Sequence, residues 1–219
     1  MIRIIPIATL KDAKGIHGGL TQTSKMPCKS YSLPTASCNV GSRMAQVAGS
    51  VCSKCYAQKG FYSMYANSVE PSQHARLVAL EDPLWASAMV RSIGADKYFR
   101  WHDSGDLQGL LHLELIAEVA RRTPDRGHWL PTREYAVVKA HIAKHKKLPD
   151  NLTIRLSAMF PDVPVRVPAS LQGVKGVAIS NVHTGSALGT DCNASKQGGA
   201  CLDCRDCWDS TVTISYKLH

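Results

Sequence analysis

The chain has 219 residues, 44% of them hydrophobic and 20% charged, so it is long enough to bury a core of its own. No apolar run approaches the roughly 18 residues that cross a membrane, and neither a membrane span nor a cleavable export signal is expected. A cytoplasmic location follows, where thiols stay reduced, so the eight cysteines are candidate metal ligands rather than disulfide partners.

Most of the formal net charge of +9 lies in residues 1–60, which carry eight basic side chains and one acid, Asp12. Such a segment is typical of a surface that binds nucleic acid or a nucleotide, although a solvated face has the same composition. Residues 1–10 are apolar and predict a first strand. The rest of the segment is rich in Gly, Ser, Thr and Pro, which predicts loops that a metal or a cluster would fix.

Four cysteines lie in this basic segment, namely Cys28, Cys38, Cys52 and Cys55. The C-x2-C pair formed by Cys52 and Cys55 has the spacing of two ligands on one metal. Zinc and an iron–sulfur cluster would both accept these thiolates. Cys28 and Cys38 are more loosely spaced, and either of them alone is also compatible with a buried apolar thiol.

The middle of the chain predicts helices first and then alternating strands and helices. Residues 61–93 predict a helix pair that is broken near Pro83. Strands are predicted at 97–102, 128–133, 152–159 and 174–182, and amphipathic helices at 107–122 and 135–147. This alternation indicates an α/β fold of parallel βα units, a partial or TIM-like barrel, with residues 97–183 as the βα core of a single domain spanning 1–219.

Polar residues follow the predicted strands, at the end where α/β folds bind their ligands. The strongest such stretch is 102–106, which ends where the predicted helix begins, so Asp106 is also explained as a helix cap. The candidate acid–base groups or small-metal ligands are His102, Asp103 and Asp106. The candidate substrate-binding residues are Arg100, Ser104, Gly105 and Arg133.

Residues 184–219 predict a cluster-binding tail. Its cysteines, Cys192, Cys201, Cys204 and Cys207, have the spacing C-x8-C-x2-C-x2-C. The C-x2-C-x2-C run is the spacing that places three ligands on a [4Fe–4S] cluster, and Cys192 is the nearest fourth ligand. Because the tail follows the last predicted strand, it is expected beside His102 and Asp106. The front cysteines either form a second site or share this one.

Four stretches also carry a resemblance: Lys25-Met-Pro-Cys28, residues 52–60, residues 102–106 and residues 201–208. Together they resemble the gene product 88 family of bacteriophage proteins, which implies cluster-binding cysteines and a location in the host cytoplasm. The arrangement is also distantly similar to radical S-adenosylmethionine enzymes with an auxiliary cluster. The chain departs from those enzymes in lacking their C-x3-C-x2-C motif.

The predicted function is therefore a [4Fe–4S] protein, either a redox or a radical-type enzyme that acts on a nucleotide or nucleic acid. S-adenosylmethionine is the co-substrate of the radical version. Two alternatives stay open at the level of sequence. One is a non-enzymatic iron–sulfur protein for electron transfer, sensing or host interaction, and the other is a zinc-bound nucleic-acid-binding module.

Overall fold

A computed structural model describes residues 2–23 and 25–218 of the chain. One eight-stranded sheet has the order β1-β2-β3-β4-β5-β6-β8-β7. The strands β1 and β2 pair antiparallel, and every other neighbouring pair is parallel. The strands are Thr21–Gln22 (β1), Lys29–Tyr31 (β2), Tyr98–Trp101 (β3), Gly127–Thr132 (β4), Leu152–Ser157 (β5), Val177–His183 (β6), Thr190–Asp191 (β7) and Ile214–Lys217 (β8).

Helices connect the parallel strands, which confirms the predicted α/β fold with a mostly parallel sheet. The α-helices are Leu10–His17 (α1), Asn39–Ala45 (α2), Phe61–Met64 (α3), Ala66–Ala79 (α4), Trp85–Ile93 (α5), Leu110–Arg122 (α6) and Tyr135–His145 (α7). Helix α5 packs against α6, and α6 packs against α7, along one face of the sheet. Between β5 and β6 the chain forms only a short 3₁₀ turn at Ala169–Leu171.

The apolar core lies between the sheet and these helices. Alternate residues of each strand face this core. In β3, Phe99 and Trp101 are fully buried, whereas Tyr98 and Arg100, which alternate with them, are not. Trp85 of α5 packs edge-on against Tyr31 of β2, and its indole N–H donates to the Tyr31 hydroxyl at 3.0 Å. Burying each such side chain contributes about 1.5–3 kcal/mol, so this layer holds the helices on the sheet.

The opposite face of the sheet is polar and is covered by the tail. Trp208 contacts the rings of Tyr98 and Trp129, and its indole N–H donates to the carbonyl of Phe99 at 3.0 Å. Thr153 of β5 donates to the carbonyl of Trp208 at 2.8 Å. The tail therefore packs on the face that carries the polar strand residues.

Two predictions of local structure are wrong. Residues 2–9 form no strand; the Ile5 amide donates to the Ser87 hydroxyl of α5 at 2.9 Å instead of joining a ladder. The helix expected from residue 107 begins at Leu110, with Gly109 as its N-cap. The Asp106 carboxylate binds the Leu107 amide at 2.7 Å and fixes the preceding loop outside the helix.

Several buried histidines make stability depend on pH. Burial lowers the pKa of His17, His128 and His141 to about 4. The unfolded chain takes up these protons near pH 6.5, whereas the folded chain resists protonation until about pH 4. The unfolded state therefore binds more protons between these values, and stability is complete above pH 6.5 and falls as the pH falls below it.

Replacing His141 with leucine should flatten this dependence. His141 is 1% exposed, and neither ring nitrogen has a hydrogen-bond partner among the described residues. We expect the free energy of unfolding of the native chain to fall by about 2 kcal/mol more than that of His141→Leu between pH 6.5 and pH 5. Urea unfolding across this range measures the difference, and His74→Leu, on the exposed side of α4, is the control. If the free energy of unfolding depended on pH equally in the native chain and in His141→Leu, the lowered pKa of His141 would be contradicted.

Candidate metal centres

The structure divides the eight cysteines into three and five rather than four and four. The charges of Cys52 and Cys55 act on the Cys38 thiol, that of Cys55 acts on the Cys52 thiol, and those of Asp106 and Arg133 act on both. Cys38, Cys52 and Cys55 are therefore grouped together. We call these three the front group.

The front group lies at the carboxyl ends of the parallel strands. Two amides of its segment dock there: Val40 donates to Glu134 Oε1 at 2.6 Å, just beyond β4, and Val51 donates to the carbonyl of Met159 at 2.9 Å, just beyond β5. The Ser50 hydroxyl accepts from the Ser53 amide at 3.0 Å and starts the turn that carries Cys52. These contacts hold the thiols at the end of the sheet where α/β folds bind ligands.

Gly41 leaves space between two of the front sulfurs. A Cβ atom at this position would lie 2.9 Å from Cys38 Cβ, 3.5 Å from Cys38 Sγ and 3.9 Å from Cys52 Sγ. Any larger residue would therefore occupy the volume that both sulfurs face. Soft thiolates around a small open volume are the donor set that iron–sulfur clusters and zinc prefer.

The other five cysteines form the tail group, namely Cys28, Cys192, Cys201, Cys204 and Cys207. Cys28 joins it from the front segment, because its neighbours are Cys201, Arg100 and Arg205. The Cys201 amide donates to the carbonyl of Lys25 at 3.0 Å, three residues before Cys28. Cys192 and Cys204 are neighbours of Cys201, and Cys192 is also a neighbour of Cys207.

Further contacts bind the tail group to the sheet. Cys201 Sγ lies 3.8 Å from Met26 Sδ, and Cys207 Sγ lies 3.2 Å from the hydroxyl of Tyr216 in β8. The guanidinium of Arg155, on β5, donates to a series of backbone carbonyls. They are those of Ile179, Asp206, Cys207, Asp209 and Val212.

Burial controls the ionisation of the thiols in both groups. It raises the pKa of Cys28 and Cys38 to about 12 and that of Cys207 to about 11, against weaker opposing effects of Arg100, Arg133 and Arg155. Without metal these thiols stay protonated at neutral pH and are not activated nucleophiles. Metal binding would couple to their deprotonation.

Three of the predicted site residues are held by the neighbouring strand ends. Asp106 accepts from the Leu107 amide, the Thr132 hydroxyl at 2.6 Å and the Arg133 amide at 2.8 Å, yet burial still raises its pKa to about 6. Ser104 donates to the carbonyl of Leu33 at 2.9 Å. A Cβ on Gly105 would lie 2.5 Å from Leu33 Cβ, so this glycine permits the close approach of the two loops.

His102 and Asp103 point into different surroundings. The ring of His102 lies toward the helix layer, 5.1 Å from that of His112, and burial lowers its pKa to about 3. Asp103 accepts from the Tyr62 hydroxyl at 3.0 Å, and its backbone carbonyl accepts from the Tyr56 hydroxyl. Their predicted role as acid–base groups stays a prediction.

Asp106 interacts with Cys38 and Cys52 of the front group. The expectation that the tail cysteines also lie beside Asp106 stays a prediction. Sequence reasoning missed Tyr56 and Met26 as site residues. Tyr56 follows Cys55 directly and Met26 is two residues from Cys28, so adjacency to a cysteine was the available signal.

In residues 2–23 and 25–218, no group of three or more His, Cys, Asp or Glu side chains is arranged so that it could hold a metal ion. Ligation would therefore require the thiols of each group to move toward the bound species. Within the same described residues, no helix is long and apolar enough to cross a membrane.

Comparison with known proteins links residues 8–210 to the family model described as gene product 88. Neither the curated proteins nor the solved structures contain a match to this chain.

Proposed function

The chain belongs to the gene product 88 family, and from its cysteines we propose that it is an iron–sulfur protein with two [4Fe–4S] sites, one on each cysteine group. We further propose that the front site carries out a redox or radical-type reaction. One observation carries the proposal. Three cysteines lie together at the carboxyl ends of the parallel strands, apart from a five-cysteine group on the face of the sheet.

The front group would leave one iron of a four-iron cluster without a protein ligand, because it supplies three thiolates. An iron with a free coordination position is what a reacting co-substrate needs. Glu134 and Met159 hold the loops that carry the thiols, and Arg133 places positive charge beside them. The front site would lie at the end of a run of consecutive parallel strands, β2 to β6.

The tail group would saturate a second cluster, because five thiols are available for four irons. A cluster with no free iron is suited to electron transfer or to holding the tail in place. Zinc bound by four thiolates is the alternative occupant of this group.

The substrate under this proposal is a nucleotide or a nucleic acid. Residues 1–60 contribute eight basic side chains, and Lys54 and Lys59 are exposed on either side of Cys55. The charge of Lys29 is balanced, since its ammonium pairs with the Asp96 carboxylate at 3.0 Å. Exposed cations near an open iron would attract phosphate groups.

Metal analysis of anaerobically purified protein tests the proposal. We expect about eight irons and eight sulfides per chain. Replacing Cys38, Cys52 and Cys55 with alanine should remove about half of the iron, and replacing Cys201, Cys204 and Cys207 should remove the other half. Loss of all iron in both variants would mean a single shared site. Zinc without sulfide would support the zinc alternative.

Spectroscopy then separates the enzymatic from the non-enzymatic version. In the variant that keeps only the front group, the electron paramagnetic resonance signal of the reduced cluster should change on addition of S-adenosylmethionine. The variant that keeps only the tail group is the control and should not respond. An unresponsive front signal, together with no 5′-deoxyadenosine after reduction with dithionite, would leave a non-enzymatic iron–sulfur protein.

A further inference from the structure

Three buried hydrogen-bond donors without partners lie side by side on the polar face of the sheet. Ser30 of β2, Arg100 of β3 and Trp129 of β4 occupy one row of the strand register. Ser30 is 0% exposed and Trp129 is 4% exposed. Among the described residues, no partner exists for the Ser30 hydroxyl, Arg100 Nε or Trp129 Nε1.

This row faces the tail. Its fourth member is Thr153, the register partner of Trp129, and the Thr153 hydroxyl donates to the carbonyl of Trp208. The ring of Trp129 also contacts the ring of Trp208. Two members of the row, Trp129 and Thr153, therefore contact Trp208, the residue that follows Cys207.

Arg100 connects the row to the tail group. Its guanidinium lies 4.6 Å from the ring centroid of Trp129, and its terminal nitrogens donate to Met26 Sδ at 3.7 Å and to the Tyr56 hydroxyl at 3.3 Å. The same charge interacts with Cys28, Cys201 and Cys207. Of its guanidinium nitrogens, Nε has no partner among the described residues, and the charges that act on the side chain are those of Tyr56, Asp103, Tyr216 and Cys207.

A buried polar group without a partner is costly, and three neighbouring ones indicate an acceptor that is bound there. The sulfur atoms of an iron–sulfur cluster are such acceptors. We propose that Ser30, Arg100 and Trp129 donate hydrogen bonds to sulfur in the tail group, and that Arg100 is the positioning residue that sets the redox potential of that site. This inference rests on the proposed iron–sulfur function.

The physical effect follows from charge. Reduction adds a negative charge to the cluster, and both N–H or O–H donors and a nearby cation stabilise the added charge. The row would therefore raise the midpoint potential of the tail site. The front site, on the other group of thiols, would be much less affected.

Redox titration followed by electron paramagnetic resonance tests the inference in the variant that keeps only the tail group. Arg100→Met should lower the reduced-to-oxidised ratio at fixed potential about tenfold, which is ~59 mV for one electron. Arg100→Lys keeps the charge but loses the Nε donor, and it should restore part of the shift. Ser30→Ala and Trp129→Phe should each lower the potential by a smaller amount.

Arg91→Met is the matched control, because Arg91 is exposed on α5. Ser30→Ala separates the proposal from a purely structural role, since removing a buried hydroxyl without a partner should not destabilise the fold. An unchanged potential in Arg100→Met and Ser30→Ala, with iron and sulfide retained, would overturn the inference while leaving the proposed function intact. Absence of iron and sulfide from the unmodified protein would instead remove the proposed function.

Discussion

Replacing Arg155 with methionine is expected to release the tail from the sheet and to lower the free energy of unfolding by at least about 3 kcal/mol. Arg155 is 0% exposed, and its guanidinium satisfies five backbone carbonyls, four of them in the tail. Methionine has a similar length but no donor, so each of those carbonyls would lose a donor; those of Asp206 and Asp209 keep a backbone amide, from Asp209 and Val212. Each buried carbonyl without a partner costs about 1–3 kcal/mol.

Urea unfolding measures the loss of stability, and limited proteolysis shows where it acts. We expect early cleavage within residues 192–213, before the sheet unfolds. Arg155→Lys should be intermediate, because one ammonium has three donors for five acceptors. Arg166→Met, on an exposed side chain, is the control. A free energy of unfolding within about 0.5 kcal/mol of the native value would show that the tail is held by other contacts.

Replacing Cys28 with alanine is expected to change the tail site and to leave the front site intact. In sequence Cys28 belongs with the other front cysteines, but in the structure its thiol neighbour is Cys201, and Cys201 Sγ contacts Met26. The tail signal in electron paramagnetic resonance should therefore be lost or altered in Cys28→Ala. The front signal, assigned from the variant that lacks Cys201, Cys204 and Cys207, should keep its intensity.

Double variants sharpen this test, because the tail group has one thiol more than a four-iron cluster needs. Cys28→Ala combined with Cys204→Ala leaves three tail thiols and should lose iron from the tail site alone. Cys28→Ala combined with Cys55→Ala should lose iron from both sites. If Cys28→Ala instead abolished the front signal, the division into three and five cysteines would be wrong.

Local pattern predicted the central elements well. The amphipathic helices and the strands of the βα core appear within a few residues of their predicted positions, for example at Leu110–Arg122 and Leu152–Ser157. Hydrophobic periodicity depends on residues that are close in sequence, so it can be read from one sequence alone. Helix α6 begins three residues later than predicted, because Asp106 accepts hydrogen bonds from Thr132 and Arg133. These contacts are distant in sequence and cannot be read from a local pattern.

The α/β class and the supply of thiols in two segments could be read from the sequence. Which thiols meet depends on the tertiary structure. Met26 and Cys201 are in contact although they lie 175 positions apart, and Arg155 binds the carbonyl of Cys207 across 52 positions. Such contacts depend on how the tail folds back over the sheet, and no spacing along the chain encodes them. For that reason Cys28 belongs to the tail group, and the front group lies at the strand ends beside Asp106.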